Sequence, residues 1–275
     1  MDLLDHDVAS VSIFLSSERL ATFNAITGSI KEAILLHQQM LQLGTTLMTV
    51  TAVIEISCRN SISEQLSTLL GSGWLRNPPA SFAWKDSERS KIVQAEGSAR
   101  KALYSKKSQA DKKALDALAY PGGVPAGISH DTLSKARQKT ITVSDGQVIA
   151  QLTMFFWKRL FSSDYEVSLW NRSLKRIFPD KALKRADIAT HMEDIYQARN
   201  RIAHHEPIYD KRLDRVLDAV EFVIRNLGKA DSTGKTTLGK LLGAEMKQLS
   251  DEARALRETL ARFRGAPAGA PPAGP

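Results

Sequence analysis

The residue types best suited to chemistry lie close together near position 200. Arg199, Asn200 and Arg201 precede two adjacent histidines, His204 and His205. Arginine is a permanent planar cation that matches phosphate oxygens, and histidine exchanges protons near neutral pH. Because no cluster of metal-binding carboxylates accompanies them, the pattern indicates phosphodiester chemistry on RNA without a metal ion or other cofactor.

A role can be assigned to each of these side chains. Arg199 would hold the scissile phosphate and stabilise the charge that develops on it. His204, with His205 beside it, would carry the proton as the ribose 2′-hydroxyl attacks, which leaves a 2′,3′-cyclic phosphate. Asn200 would orient the phosphate or the histidine, and Arg201 would bind RNA. The competing interpretation is that both histidines only cap carbonyls at a helix end, where a cation is favourable. The flanking Arg-Asn and Glu-Pro pairs favour the catalytic interpretation.

Arg199 also stands out by its place on the predicted motif helix. It falls on an apolar face that steps by three and four residues, whose other members are Ile188, Met192, Ile195 and Ile202. An arginine in such a stripe needs a buried carboxylate or a bound anion. Glu55, in a long apolar helix over residues 29–70, is the candidate carboxylate. Arg59 and Asn60 follow one turn later and are predicted to bind RNA in the same cleft.

The directions of these side chains leave two arrangements open. His204 lies five residues after Arg199, about 140° around an ideal helix. Pro207 disfavours helical geometry in the residue before it, so the helix must end by Glu206 and the histidines could turn toward the arginine. Alternatively, the two side chains meet their counterparts from a second copy, in a homodimer.

A basic segment gives a second reason to expect a polyanionic partner. Residues 85–139 contain twelve lysines and arginines against six aspartates and glutamates, so they carry +6 of the total net charge of +8. Such a segment can neutralise phosphates. The candidate RNA ligands in it are Lys106, Lys107, Lys112 and Lys113. A solvated surface insert explains the segment equally well.

Composition places the chain among ordinary globular proteins. The apolar fraction is 43%, and the single cysteine, Cys58, excludes an internal disulfide and fits a reducing compartment. The N-terminus is acidic and has no signal-peptide pattern. The longest apolar stretch, residues 43–58, is interrupted by threonines and by Glu55, so we expect no membrane span and a cytoplasmic protein.

Helical periodicity almost throughout predicts an all-α fold. Helices are expected to begin at Ser16 or Ser17, at Ser144 or Asp145, near Glu166, at Asp187 or Thr190, near 211 and near 236. The helix from Ser144 is expected to continue through Leu160. The predicted segments are N-terminal helices at 1–84, a basic insert at 85–143, a core with the motif at 144–230, a long amphipathic helix at 231–264 and a disordered tail at 265–275.

The last predicted helix carries a heptad seam. Its members are Leu242, Met246, Leu249, Ala253, Leu256 and Leu260. The favoured interpretation is that this seam packs on its own domain. A dimer zipper, and with it a role as a protein-interaction adaptor, is the alternative.

The motif and three further blocks resemble a known family. The string over residues 199–208 resembles the Abi-like proteins of abortive infection, the AbiD/AbiF-type group, and its Arg-x4-His spacing matches the signature of HEPN domains. The other blocks agree in order along roughly residues 15–228. They are residues 55–62 with Gly73-Trp74, residues 148–153 with Phe156-Trp157 and Leu160-Phe161, and Leu169-Trp170 with Phe178-Pro179.

This resemblance implies an all-helical, HEPN-like bundle and a role in antiphage defence as a metal-independent endoribonuclease that acts as a toxin. Relatives held in check by a structured RNA imply a silencing non-coding RNA as a further partner, which suits residues 85–139. HEPN domains also include inactive RNA binders, so a non-catalytic structured-RNA-binding module is the alternative function. Met154-Phe155 stands where relatives often carry Phe-Gly, and the chain after 228 lies outside the resemblance.

Overall fold

The computed structural model describes residues 4–265, and this part of the chain is all-helical, which confirms the predicted fold class. Within it the α-helices in chain order are α1 (Asp5–Leu15), α2 (Ser17–Thr27), α3 (Ile30–Leu70), α4 (Asp86–Ser105), α5 (Gln109–Ala114), α6 (Asp116–Ala119), α7 (His130–Lys139), α8 (Asp145–Ile149), α9 (Met154–Arg159), α10 (Arg185–Ala203), α11 (Asp210–Asn226), α12 (Thr237–Leu241) and α13 (Gly243–Phe263). The predicted disordered tail falls almost wholly outside the described residues.

Two compact units divide the chain. The first consists of Met1–Arg59 and Ile177–Pro275, and the second of Asn60–Arg176. The first unit holds the motif helix α10 together with α1, α2, α11, α12, α13 and the longer part of α3. The second holds the basic segment.

Hydroxyl caps set several of the helix starts that the sequence predicts. The Ser16 side chain accepts a hydrogen bond from the backbone of α2, Ser144 does the same for α8, and Thr236 does so for α12. Such caps satisfy backbone N–H groups that have no partner inside a helix. The helix α1 was not predicted, and it is held by Val8, which packs with Leu20 and Ile34.

The helix α3 runs for 41 residues and continues through Gly44 rather than dividing there. A Cβ atom at Gly44 would lie 3.4 Å from Cγ2 of Ile202, so this glycine lets α10 approach α3 closely. The helix ends before Gly71, which has a φ of 86°. Gly71 therefore terminates α3 where the sequence predicts.

By length and composition α3 could also cross a membrane. Core helices of water-soluble proteins pass the same test, and Leu36, Leu43, Val50 and Ile54 are buried here. The cytoplasmic location therefore stays an expectation.

The single helix expected from Ser144 through Leu160 is wrong. α8 ends at Ile149, and α9 begins after Thr153, whose backbone is extended. Between them Gln151 and Leu152 donate to carbonyls three residues earlier, which tightens the chain into turns. Both Leu152 and Phe156 remain buried in this arrangement. The spacing of apolar residues therefore predicts correctly which side chains are buried, but it does not predict where the helix breaks.

The helix expected from Glu166 is likewise irregular. The segment consists of a 3-10 turn (Ser163–Tyr165), a π turn (Glu166–Trp170) and a second 3-10 turn (Leu174–Ile177). The basic segment contains a long helix, α4, of 20 residues.

The second unit contains a buried network of charged and polar side chains. The carboxylate of Glu88 is fully buried, and it accepts a hydrogen bond from the Tyr165 hydroxyl at 2.6 Å and one from Nε of Arg159 at 3.0 Å. Burial and the neighbouring Glu88 charge raise the pKa of Tyr165. Pairing of this kind is what allows a carboxylate to stay inside a core.

The heptad seam of α13 packs within its own unit. Leu249, Ala253 and Leu256 are fully buried, and Leu242 and Leu260 nearly so. On the flanks, Gln248 donates to Thr46 of α3 at 3.1 Å, which ties the helix to the same unit. Five of the six seam residues are therefore buried within this unit, and the sixth, Met246, is half-buried.

Candidate functional site

The motif forms the end of α10 and the turn that follows it. The helix ends at Ala203, within the limit that Pro207 sets. The N–H of His204 still donates to the Asn200 carbonyl at 3.1 Å, as in a helix, whereas the N–H of His205 donates to Ile202 at 2.8 Å. His205 then adopts a left-handed conformation with a φ of 55°, which reverses the chain. The predicted helix end is therefore confirmed, and the turn is a defined structure.

The four predicted catalytic side chains differ in exposure. Arg199 and Asn200 are half-buried, whereas His204 and His205 are exposed. Within residues 4–265 the guanidinium of Arg199 forms neither an ion pair nor a hydrogen bond. An arginine without a protein partner remains free to bind an anion.

The directions of Arg199 and His204 bear on the two arrangements that the sequence leaves open. Because the backbone of His204 keeps its helical hydrogen bond to Asn200, the Cα–Cβ bonds of Arg199 and His204 point about 140° apart. On an ideal helix the two side chains would therefore start from different faces of α10. His204 is the C-cap of α10, with a φ of −95° and a ψ of 9°, and His205 follows in the left-handed region.

Both the backbone and the side chain of Arg201 form contacts within the turn. Its carbonyl accepts the N–H of Glu206 at 2.8 Å, and its Nη2 forms an ion pair with the Glu206 carboxylate at 2.9 Å. Its Nε is enclosed and, within the described chain, donates to no acceptor. The guanidinium is therefore only partly used by the protein.

Two residues that the sequence did not single out support the turn from α2 and α3. Nη1 of Arg19 donates to the carbonyl oxygen of His205 at 2.9 Å. His37 is 3% exposed, and its ring meets Phe23 edge-on at 5.1 Å between centroids. Burial, and then the positive charges of Arg19 and His205, lower the pKa of His37. The signal for His37 was a histidine among buried positions of α3, whereas nothing in the sequence pointed to Arg19.

A cavity of about 340 Å³ adjoins the turn. Most of its wall is apolar, from residues such as Phe23, Met40, Leu47 and Ile202, and His37 and His205 also line it. Neither nitrogen of His37 has a hydrogen-bond partner within the described chain. The cavity therefore gives the turn an apolar support with a neutral histidine inside it.

The other predicted RNA ligands occupy different places. Arg59 is half-buried in the C-terminal third of α3, and Asn60 is exposed rather than inside a cleft. In the second unit, Lys106 and Lys113 are exposed and Lys107 is half-buried. Nζ of Lys112 lies 5.1 Å from the centroid of the Tyr104 ring, a cation–π contact.

Within residues 4–265, no group of three or more histidine, cysteine, aspartate or glutamate side chains could hold a metal ion.

Comparison with known proteins identifies no relative, because no family model, curated protein or solved structure matches the chain.

Proposed function

We propose that the chain is an antiphage abortive-infection protein of the Abi-like, HEPN-like kind and that it cleaves RNA without a metal ion. The observation that carries this proposal is the pairing of an exposed His204 with an Arg199 that has no protein partner, on one hydrogen-bonded helix end. An exposed imidazole can reach a polymer substrate, and an unpaired guanidinium can receive its phosphate. The net charge of +8 favours a polyanionic substrate.

In the proposed reaction the ribose 2′-oxygen attacks the adjacent phosphorus, and the bond from phosphorus to the 5′-oxygen breaks. A histidine takes the proton from the 2′-hydroxyl, and the departing 5′-oxygen gains one, so that a 2′,3′-cyclic phosphate and a 5′-hydroxyl result. Arg199 neutralises the charge that builds on the equatorial oxygens. Asn200 orients the phosphate or the imidazole, and His205 is the second histidine at the turn.

A homodimer belongs to this proposal. Since Arg199 and His204 leave α10 in directions about 140° apart, a second copy is a simple way to bring both groups onto one phosphate. A second motif would also supply a second histidine, so that one could accept a proton while the other donates one. Equilibrium sedimentation of the purified chain tests this part, and a strictly monomeric, active enzyme would contradict it.

The decisive experiment is RNA cleavage in the presence of EDTA. Purified protein is incubated with total RNA and with a defined single strand, and the cleaved ends are analysed for cyclic phosphate. We expect cleavage by the unaltered chain and none by Arg199→Ala or His204→Ala. His130→Ala, which removes an exposed histidine from α7, and Arg172→Ala are the matched controls and should cleave normally. Persistent cleavage by either motif variant would refute the assignment.

A non-catalytic module for structured RNA is the second candidate function. It is favoured by the exposed Lys106 and Lys113 in a segment of net charge +6. This function predicts salt-sensitive binding of a folded RNA with no turnover, and weaker binding after charge reversal at Lys106, Lys107, Lys112 and Lys113. The same segment is where a silencing RNA would bind if the chain is a toxin.

A further inference from the structure

A crevice of about 160 Å³ lies between α10 and α11 in the first unit. Three arginines line it, namely Arg201 from α10 and Arg212 and Arg215 from α11. Ile208 also lines it, so the crevice adjoins the motif turn. The two arginines of α11 are one turn apart and therefore share a face of that helix.

Two acidic residues of α11 close to these arginines in the sequence are paired elsewhere. Asp210 at the start of α11 forms two hydrogen bonds with the guanidinium of Arg264, each of 2.9 Å. Asp214, one turn later, pairs with Arg257 of α13 at 2.6 Å. Asp210 and Asp214 are therefore paired with Arg264 and Arg257, whereas Arg212 and Arg215 line the crevice.

The three guanidinium groups retain unused hydrogen-bonding capacity. Within residues 4–265, Arg212 and Arg215 form no ion pair, and Arg215 donates only from Nε to a carbonyl of its own helix at 3.2 Å. Arg201 uses Nη2 for Glu206 and leaves its enclosed Nε without an acceptor. Against these three charges, Asp194 is the one carboxylate among the lining residues.

Like charges one helical turn apart repel each other, so a bound anion would stabilise this cluster. Arginine presents paired N–H donors that match two oxygens of a phosphate, and such charge-assisted bonds are among the stronger ones in proteins. A backbone phosphodiester presents two charged non-bridging oxygens, and each of them can accept more than one N–H donor.

We propose that this crevice is a phosphate-binding subsite that holds a backbone phosphodiester of RNA beside the motif turn. The inference rests on the proposed function, because that function supplies RNA as the ligand. Arg212 and Arg215 are binding residues in this proposal, and neither takes part in the chemical step. The subsite would fix the position of the strand so that a neighbouring phosphate reaches Arg199.

The test measures RNA binding separately from cleavage. A short single-stranded RNA with 2′-methoxy groups, which cannot be cleaved by 2′-hydroxyl attack, is titrated by fluorescence anisotropy at several salt concentrations. We expect the double variant Arg212→Gln/Arg215→Gln to bind about tenfold or more weakly at low salt. We also expect the slope of log K against log salt to decrease by about 0.7 for each phosphate that the variant no longer neutralises.

Arg225→Gln is the control, because it removes an exposed arginine, paired with Glu221, from α11 outside the crevice. It should bind RNA as the unaltered chain does. Circular dichroism melting verifies that the double variant is folded. Unchanged affinity and slope in the folded double variant would overturn the subsite.

A competition experiment tests whether the crevice binds the RNA backbone or a small phosphate compound. Inorganic phosphate and a nucleoside monophosphate are added as competitors of the bound RNA. Weak competition at millimolar concentration supports a backbone subsite, whereas micromolar binding of either one that is abolished in the double variant would overturn the RNA assignment in favour of a small-molecule site. Failure of the proposed nuclease function would give a different result. The unaltered chain could bind the RNA through these arginines and yet never cleave a substrate with 2′-hydroxyl groups. That result would refute the nuclease function and support the subsite.

Discussion

The guanidinium of Arg19 donates a hydrogen bond to the carbonyl oxygen of His205 at 2.9 Å, although 186 residues separate the two along the chain. The bond joins α2 to the turn that carries both motif histidines. It also places a fixed positive charge near His205 and His37. Arg19 therefore contacts the backbone of the turn rather than the histidine side chains, and under the proposed function it is a positioning residue for the motif.

Replacement of Arg19 by alanine should loosen the turn without unfolding the protein. Removal of the hydrogen bond predicts a decrease of about 1 kcal/mol in the free energy of unfolding. The cleavage rate should fall by about tenfold or more, because small displacements of reacting groups are costly. Arg19→Lys, which keeps the charge and one donor, should recover part of the rate. Denaturant unfolding and single-turnover cleavage measure the two effects, and a full rate in Arg19→Ala would show that the turn does not need this bond.

The left-handed conformation of His205 predicts a difference between glycine and alanine at this position. A left-handed residue other than glycine costs about 1 kcal/mol, so His205→Gly should be more stable than His205→Ala by about that amount. Both variants lack the imidazole, and the comparison therefore isolates the backbone. Thermal unfolding of the pair measures the difference. Equal stability would indicate that the turn relaxes away from a φ of 55° once the side chain is removed.

His37 should make stability depend on pH. Burial and nearby positive charges lower its pKa below 6.5 in the folded chain. Just below pH 6.5 the unfolded chain therefore binds more protons than the folded one. The free energy of unfolding should fall as the pH decreases through that range and level off below the folded-state pKa.

Replacement of His37 by phenylalanine should remove this contribution. The variant keeps an aromatic contact with Phe23 and no longer buries two unpaired nitrogens, so it should be about 1 kcal/mol more stable near pH 6. His130→Phe is the control, because His130 is exposed. A pH profile in His37→Phe that still matches the unaltered chain would assign the dependence to another group.

The network around Glu88 should be sensitive to loss of either partner. Arg159→Met leaves a fully buried carboxylate with only Tyr165 as a charge-stabilising donor, which predicts a loss of about 3 kcal/mol in the free energy of unfolding. Adding Glu88→Gln to Arg159→Met should restore much of that loss. Asp164→Asn, which removes the exposed partner of Arg159, should cost less than about 1 kcal/mol. A double-mutant cycle by urea unfolding checks the coupling between Glu88 and Arg159.

The seam of α13 predicts a loss of stability rather than a change of assembly. Leu256 is fully buried, so Leu256→Ala should cost about 2–5 kcal/mol. Leu241, which is 64% exposed, provides a matched control that should be nearly neutral when changed to alanine. Sedimentation of the folded Leu256→Ala variant should give the same mass as the unaltered chain. A change of mass without loss of stability would support the zipper instead.

Local signals in the sequence predicted local features well. Ser16, Ser144 and Thr236 cap helices as expected, and Gly71 and Pro207 set helix ends, because these residues act through their own backbone and nearest neighbours. The break near Thr153 was not predictable from spacing, since Leu152 and Phe156 are buried whether or not the helix continues. The missed helix α1 is short and opens with an acidic stretch that shows little apolar periodicity.

The site was predictable in its residue types but not in its geometry. Adjacent histidines and arginines could be recognised from their chemistry, yet the directions of Arg199 and His204 depend on how far the helical hydrogen bonds persist. Arg19 and Arg212 lie far from the motif string or on the next helix, and only the tertiary fold places them near the turn. Contacts of that range leave no periodic trace in a single sequence.

The single cysteine of the chain allows the opening of α3 to be measured by thiol labelling. Cys58 is buried and unpaired, and burial together with the charge of Glu55 raises the pKa of its thiol to about 12. The folded chain therefore presents almost no thiolate at neutral pH, and labelling reagents must wait until the helix opens. The rate of labelling by a thiol reagent would thus report how often the middle of α3 opens. The native sequence already contains this single-site probe, with no other cysteine to remove.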